Sequence, residues 1–273
     1  MGKKPRARWR MGTCFGCFPD DLPVHHGTYG SVEGNARAPE KQGVLVVMRH
    51  SVRLDAALVA ATWSDQEQRP YDSPISDWEL PRAECAVLSS RGLGSFDTIV
   101  VSPFRRCLQT AGVCAAALGG SRTVRIDRSL GELTQSVRRV QRERWGDESA
   151  ERPHGVVQYL SAQAELALLR AASLDVVATI DERRGEMPPR DETHRDGHAR
   201  YVRAMEALRD NEVRRGERVL VVTHGDAVAA TLRALCGEEA YETDECCWVA
   251  FSFASDGAAT KLASSRVKTM DLG

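Results

Sequence analysis

The chain lacks an excess of charge of either sign. Its 37 lysines and arginines face 38 aspartates and glutamates across 273 residues, for a formal net charge of −1. That balance gives no global attraction to nucleic acid or to an acidic surface, so neither is expected as a partner. Long apolar runs are absent too: none approaches the roughly 20 residues needed to cross a bilayer, which argues against an integral membrane protein. No secretory-type apolar segment precedes the eight cysteines, so a reducing, cytoplasmic setting is expected. There is no internal repeat, which excludes a solenoid. What remains, with 42% apolar and 27% charged residues, is an ordinary globular composition with enough apolar residues for a substantial core.

The charge is nevertheless uneven along the chain. Lys3, Lys4, Arg6, Arg8 and Arg10 crowd the first ten residues with no acid among them. Residues 1–42 show no periodicity and hold many glycines, prolines and charges, as an irregular or disordered extension would. From residue 43 to 273 strands alternate with helices, the pattern of one layered α/β domain. Strands are predicted over Val44–Met48, Thr98–Val101, Thr123–Ile126 and Val219–Val222, and Trp248–Phe253 alternates as an edge strand. Ser102-Pro103 opens a helix, with the serine as cap and the proline in the first turn. Behind it Phe104, Cys107, Leu108, Ala111, Ala115 and Leu118 recur at helical spacing, and Arg105 is expected to face solvent. Further helices are predicted over Ala199–Asn211 and Asp226–Leu235. The stretch from about 135 to 195 is rich in charge, with a helix over Val156–Ala172, and is read as a variable lid or insertion. Several cysteines fall within apolar helical patterns, where a free thiol behaves as a small hydrophobe.

Two segments share one design: an apolar run that ends in a histidine. They are Val44-Leu45-Val46-Val47-Met48-Arg49-His50 and Val219-Leu220-Val221-Val222-Thr223-His224-Gly225. Each reads as a buried strand stopping at a polar turn, and the carboxyl ends of parallel strands are where ligands bind. Arginines gather near the same ends: Arg49, Arg53, Arg105 and Arg106. Guanidinium forks pair with the charged oxygens of a phosphoryl group, so a histidine among them suits attack on phosphorus.

These elements together resemble the histidine phosphatase superfamily, over roughly Gly43 to Phe253. Arg49-His50-Ser51 resembles the family's Arg-His-Gly element. Ser102-Pro103-Phe104-Arg105-Arg106-Cys107-Leu108-Gln109-Thr110-Ala111 matches its Ser-Pro-x-x-Arg-x-x-Gln-Thr-Ala element in full. Leu130-Gly131-Glu132 resembles its acid-bearing element, His224-Gly225 its second histidine, and Glu192-Thr193 with Arg200 its stretch before a late helix. The resemblance implies a three-layer α/β/α, phosphoglycerate-mutase-like fold whose mostly parallel central sheet carries an edge strand. It implies a histidine acid phosphatase-type hydrolase that works through a phosphohistidine and requires neither cofactor nor metal. In this scheme His50 is the nucleophile and Glu132 the proton donor. His224, Arg49, Arg53 and Arg106 bind phosphate oxygens, and Ser51 adds a hydroxyl that could touch them. Asp226 and Asp55 are rival carboxylates for the donor. Serine at 51 departs from the family's glycine, which leaves open a degenerate member that binds phosphorylated ligands without turnover. A mutase is disfavoured, because Ser51-Val52-Arg53-Leu54-Asp55 replaces the mutases' continuation. That segment, with Arg69-Pro70-Tyr71-Asp72-Ser73-Pro74-Ile75, is similar to the group of phosphatases with ubiquitin-associated and SH3 modules and to plant and protist relatives. The substrate is expected to be a phosphorylated small molecule or a phosphoprotein.

Three further signals lie outside this set. Cys14-Phe15-Gly16-Cys17 with His25-His26 lacks a standard zinc spacing. Met1-Gly2 has Arg6 where N-acylation calls for serine or threonine. A start at Met11 would place Gly12 for acylation, and the basic tail of the full chain permits weak peripheral contact with a membrane. His194 and His198 are four apart, as helical metal ligands can be, but Arg195, Asp196 and Gly197 favour a solvated helix start.

Overall fold

The computed structural model describes residues 43–57, 72–118, 123–145, 177–180, 185, 188–189 and 191–271. Its centre is a seven-stranded sheet: β1 (Val44–Arg49), β2 (Thr98–Val101), β3 (Thr123–Ile126), β4 (Val177–Ile180), β5 (Arg218–Thr223), β6 (Glu238–Phe253) and β7 (Ala259–Asp271), in the order β4-β3-β2-β5-β1-β6-β7. The first five strands in that order run parallel, while β6 pairs antiparallel with β1, and β7 antiparallel with β6. The helices are α1 (Leu54–Ala57), α2 (Glu79–Ser90), α3 (Arg105–Leu118), α4 (Thr134–Trp145), α5 (His194–Asn211) and α6 (Gly225–Cys236).

Alternation along each strand builds the two faces of the sheet. Val44, Val46 and Met48 of β1, Leu220 and Val222 of β5, and Trp248 and Ala250 of β6 join one core with Cys85 and Leu88 of α2 and Leu108, Ala111 and Cys114 of α3. The intervening residues, including Leu45, Val47, Val219, Val221 and Val249, pack with Met205 and Leu208 of α5 and Val228 and Leu232 of α6. Both faces of β1 and β5 are therefore covered, which is why those strands read as unbroken apolar runs. This is the three-layer α/β/α arrangement. Among the described residues no helix is long and apolar enough to cross a membrane. The six described cysteines form no disulfide, and all but Cys236 are buried.

The structure corrects several expectations. Trp248–Phe253 is not an edge strand: it is the buried half of β6, and β7 lies outside it. Ser102 does not cap α3, which begins only at Arg105; Phe104 supplies the first accepting carbonyl, its O taking the N–H groups of Cys107 and Leu108. The Arg105 N–H at that helix start is taken instead by Asp72 Oδ1 at 2.6 Å, and Arg105 is buried rather than solvent-facing. Part of the supposed lid belongs to the sheet, because Val177–Ile180 pairs with β3. Gly197 is a packing residue within α5: a Cβ there would lie 2.1 Å from Leu133 Cδ2. The extension over residues 1–42 and the helix expected over Val156–Ala172 lie outside the described residues.

One buried ion pair ties α5 to the loop after β3. Arg200 donates to both oxygens of Glu192, at 2.7 and 2.9 Å, and to the carbonyls of Ser129 and Gly131. Tyr201 Oη donates to Gly131 O at 2.7 Å. That loop carries Glu132, so the Glu192-Thr193 and Arg200 match marks a brace for it. Replacing Arg200 by alanine strands a buried carboxylate, and a loss of roughly 3–5 kcal/mol is expected in urea unfolding. An Arg200→Met/Glu192→Leu double variant should recover most of that loss.

Candidate active site

β1 and β5 are neighbours in register, with Arg49 opposite Thr223, so His50 and His224 leave the same edge of the sheet side by side. Their rings lie 5.4 Å apart, inclined at 71°. Ser102, at the end of β2 on the far side of β5, completes the row. The sequence places these residues together because each run of apolar side chains ends at the same level of a parallel sheet.

His50 is 3% exposed, and its backbone N–H donates to Thr223 O at 2.9 Å. Its Nδ1 lies 2.7 Å from the carbonyl of Ser51, which can only accept, so Nδ1 carries the proton and Nε2 keeps its lone pair. Burial, then the charges of Arg106, His224 and Arg49, hold its pKa well below the ordinary imidazole value. The ring is therefore neutral, with its lone pair at Nε2.

A polar unit forms around Glu132. Its Oε2 lies 3.0 Å from His224 Nδ1 and 3.1 Å from Arg106 Nη2. His224 Nε2 lies 2.9 Å from Ser102 Oγ. A carboxylate only accepts, so His224 donates through Nδ1 and accepts the Ser102 hydroxyl proton at Nε2. Burial brings the His224 pKa down to about 4, against the pull of Glu132. Burial pushes the Glu132 carboxyl up, but His224, Arg106 and His50 together hold it well below its usual range. The pair is best described as a carboxylate beside a neutral imidazole. Arg106 also stacks over Phe104, 4.3 Å from the ring centroid, and faces Asp72 at 3.9 Å.

Arg49, His50, Arg53, Arg106 and Glu132 line a pocket of about 230 Å³, together with Asp55, Ser136, Arg139, Asp226 and others. Of the residues singled out in the sequence, His224 joins this wall through its contacts with Glu132 and Arg106. Ser51 stands apart. Its hydroxyl donates to Asp77 O at 2.7 Å and its N–H to Thr110 Oγ1 at 3.0 Å, so neither is directed at a pocket ligand. It adopts no left-handed backbone either: the non-glycine residues with positive φ among those described are Cys246 and Arg266. The loss of glycine at 51 therefore costs no backbone strain. Asp55 accepts from Arg53 Nε at 3.0 Å. The Asp226 carboxyl is pushed up by burial and by Glu132.

Several contributors were not apparent in the sequence. The register shift in β6 between Thr243 and Trp248 forms a bulge around Cys246, whose φ is 56°. Bulges re-aim residues beside active sites. This one sends Cys246 N–H to His50 O at 3.2 Å, while Arg49 donates to Thr243 O and, at 3.1 Å, to Glu245. Gly225 leaves room for it, since a Cβ would lie 2.7 Å from Thr243 Oγ1. Gln109 and Thr110 act as struts: Gln109 Oε1 accepts from Ile75 N–H, and Thr110 from Ser51. Ser136 and Arg139 of α4 had no signal beyond the charge of their segment.

Two buried neutral imidazoles make the fold sensitive to acid. The unfolded rings bind protons near 6.5 and the folded ones only well below that, so unfolding takes up protons in between. Stability is complete above about pH 6.5 and falls as pH drops toward about 4, where His224 titrates. The slope approaches about 1.4 kcal/mol per pH unit for each such ring. Urea midpoints measured from pH 7.5 to 4.5 should fall accordingly, and less steeply in a His50→Gln variant. An equal slope in that variant would count against a neutral His50.

Comparison with known proteins bears on this geometry. The model of the histidine phosphatase superfamily (branch 1) matches residues 45–178 and 170–265. No curated protein sequence matches significantly. Among solved structures, the ecdysone phosphate phosphatase of Bombix mori in complex with tungstate superposes with a TM-score of 0.57 at 15% identity, over 82% of this chain and 96% of that one. Phosphoglycerate mutase of Bacillus anthracis gives 0.48 at 18%, over 82% and 94%. Mycobacterial glucosyl-3-phosphoglycerate phosphatase gives 0.46 at 20%, over 84% and 98%. The first likeness bears on fold alone; the family match spans most of the chain, and the chain belongs to branch 1 of the histidine phosphatase superfamily.

Proposed function

We infer that the protein is a phosphomonoester hydrolase acting through a phosphohistidine on His50, with no metal required for turnover. The observation that carries this is the state of His50: a neutral ring with Nδ1 tied to Ser51 O, on the wall of a pocket shared with Arg49, Arg53 and Arg106. Nε2 attacks phosphorus as the ester oxygen departs. The three guanidinium groups take up the charge of the transferring group, the task a metal performs elsewhere. A carboxylic acid protonates the leaving oxygen, and the resulting carboxylate draws a proton from the water that cleaves the N–P bond.

Glu132 suits that role by competition. Its carboxylate holds the Arg106 and His224 contacts that a phosphoryl dianion would claim. Once displaced by the dianion, it loses the groups that keep it ionised and gains a negative neighbour. Both changes raise its pKa when a proton is needed. The segment Ser51–Asp55 supports hydrolysis over mutase transfer, and the retained arginines support turnover over a merely binding protein. A phosphorylated small molecule or a phosphoprotein fits this pocket chemistry.

The experiment is rapid quenching with a labelled aryl phosphate. A labile phosphoenzyme, stable to base and lost in acid, should form in the wild type and hydrolyse at the steady-state rate. Chelator should leave the rate unchanged. Ligand binding with no phosphoenzyme and no turnover would show a degenerate member, and phosphate passed mainly to a second phosphorylated substrate would show a mutase.

A further inference from the structure

The helices α5 and α6 bring together a second group of side chains that the proposed hydrolysis does not use. His194 and His198 stand one turn apart on α5, and Asp226 rises from the first turn of α6. One ligand atom from each lies within 4.8 Å of the others. The two rings are 5.4 Å apart at 76°, so they present edges rather than a stack. His198 Nε2 is buried, yet has no hydrogen-bond partner among the described residues. A buried polar atom without a partner is costly, and a ligand is one way to satisfy it.

In the sequence Arg195, Asp196 and Gly197 favour a solvated helix start. The structure accounts for each of the three differently. Asp196 completes the capping box with Thr193, which fixes the first turn of α5. Gly197 is buried against Leu133 and Glu192, so α5 is anchored through that face. Arg195 is exposed. The sequence could not show the third ligand, because Asp226 lies 28 positions beyond His198 in the chain.

The geometry points to a site for one transition-metal dication of the zinc class, held by His194, His198 and Asp226 at the rim of the phosphate pocket. Two imidazoles and one carboxylate are a familiar zinc donor set that leaves a coordination position open. Imidazole ligands disfavour magnesium and calcium. Zinc lies about 2.0–2.2 Å from such ligands, so the three atoms need to close inward by about an ångström to bind it. Neighbouring charge does not prevent it: Arg233 faces His198 but pairs with Glu239 at 3.3 Å, and Arg139 is exposed. No hydrogen bond or ion pair from a described residue holds the Asp226 carboxylate, which also lines the pocket that holds Arg49 and Arg106. A cation there neutralises Asp226 and adds positive charge beside the anion site. Metal and phosphate should therefore strengthen each other's binding, and by linkage reciprocally.

Metal binding to the untagged full chain tests this, using zinc in calorimetry and cobalt(II) in visible absorption. Other donors could bind zinc (Cys14 with Cys17, or His50 with Glu132 and His224), so the readout is the number of equivalents that each variant loses. His194→Ala and Asp226→Asn should each lose one equivalent and its cobalt bands. His50→Ala and Cys14→Ser/Cys17→Ser should retain that equivalent. Metal-free His194→Ala should hydrolyse an aryl phosphate at the wild-type rate, because His194 lies outside the pocket. Bound zinc should tighten inorganic phosphate about fivefold or more in the wild type and leave His194→Ala unaffected. Unchanged equivalents in His194→Ala and Asp226→Asn would overturn the site. Phosphate affinity indifferent to bound zinc would overturn its link to the pocket. Only this coupling rests on the phosphatase reading; the cobalt spectrum reports the site even if that reading fails.

Discussion

Replacing His50 with alanine is expected to lower kcat for an aryl phosphate by on the order of 10⁴-fold or more, while leaving affinity for inorganic phosphate within a few-fold. The asymmetry follows from the division of labour in the pocket. Arg49, Arg53 and Arg106 keep their positions without the ring: Arg49 is held by Thr243 and Glu245, Arg53 by Asp55, and Arg106 by Glu132. What disappears is the single lone pair at His50 Nε2, and with it the bond to phosphorus. The fold should survive, since among the described residues the ring's hydrogen bond is to the adjacent Ser51 carbonyl and the strand's backbone bonds remain. The variant should even lose less stability in acid, as one buried neutral imidazole is gone. Retention of roughly a tenth of the wild-type rate would place the nucleophile elsewhere. Parallel loss of phosphate affinity and melting temperature would instead mark His50 as structural.

How far the site could be read from the sequence depended on how local its causes are. His50 and His224 were legible because β1 and β5 are buried on both faces, and an apolar run ending in a polar residue marks a strand end wherever it occurs. Arg106 was legible through the complete element around it, although that element's purpose was not. Ser102 reads locally as a helix cap, whereas its hydroxyl serves His224 122 positions away. Asp72, the true partner of the α3 N-terminus, lies 33 positions from Arg105. The bulge at Cys246 left no local trace, because a register shift is a property of two strands. Only half of β6 is legible in the sequence, for a related reason. Its first half carries Glu238, Glu239, Glu242, Asp244 and Glu245, and is held by pairing with β7 rather than by burial. His194 and His198 could be seen as a helical pair, but the carboxylate that gives the pair meaning arrives from the next helix.

The identity of the proton donor gives the second large effect. Glu132→Gln is expected to slow hydrolysis of an alkyl phosphate by about 10²–10⁴-fold while slowing p-nitrophenyl phosphate far less. A poor leaving group needs its oxygen protonated as the bond breaks; a nitrophenolate does not. The amide keeps the size of the side chain but removes the negative charge that competes with phosphate for Arg106 and His224. KM should therefore fall even as kcat falls, a combination that simple disruption of the site would not produce. Asp226→Asn provides the contrast. Its carboxyl is pushed up by burial and by Glu132, which taken alone would make it the better acid. But among the described residues no hydrogen bond or ion pair joins it to Arg106 or His224, so a bound phosphoryl group does not displace it from a partner, and its protonation is not tied to the arrival of substrate. In chelator, with no metal engaging Asp226, its replacement should cost under about tenfold and show little dependence on the leaving group. If Asp226→Asn shows the steep leaving-group dependence and Glu132→Gln does not, the donor is Asp226. Glu132 would then be the anion that holds Arg106 and His224 in place until phosphate takes over.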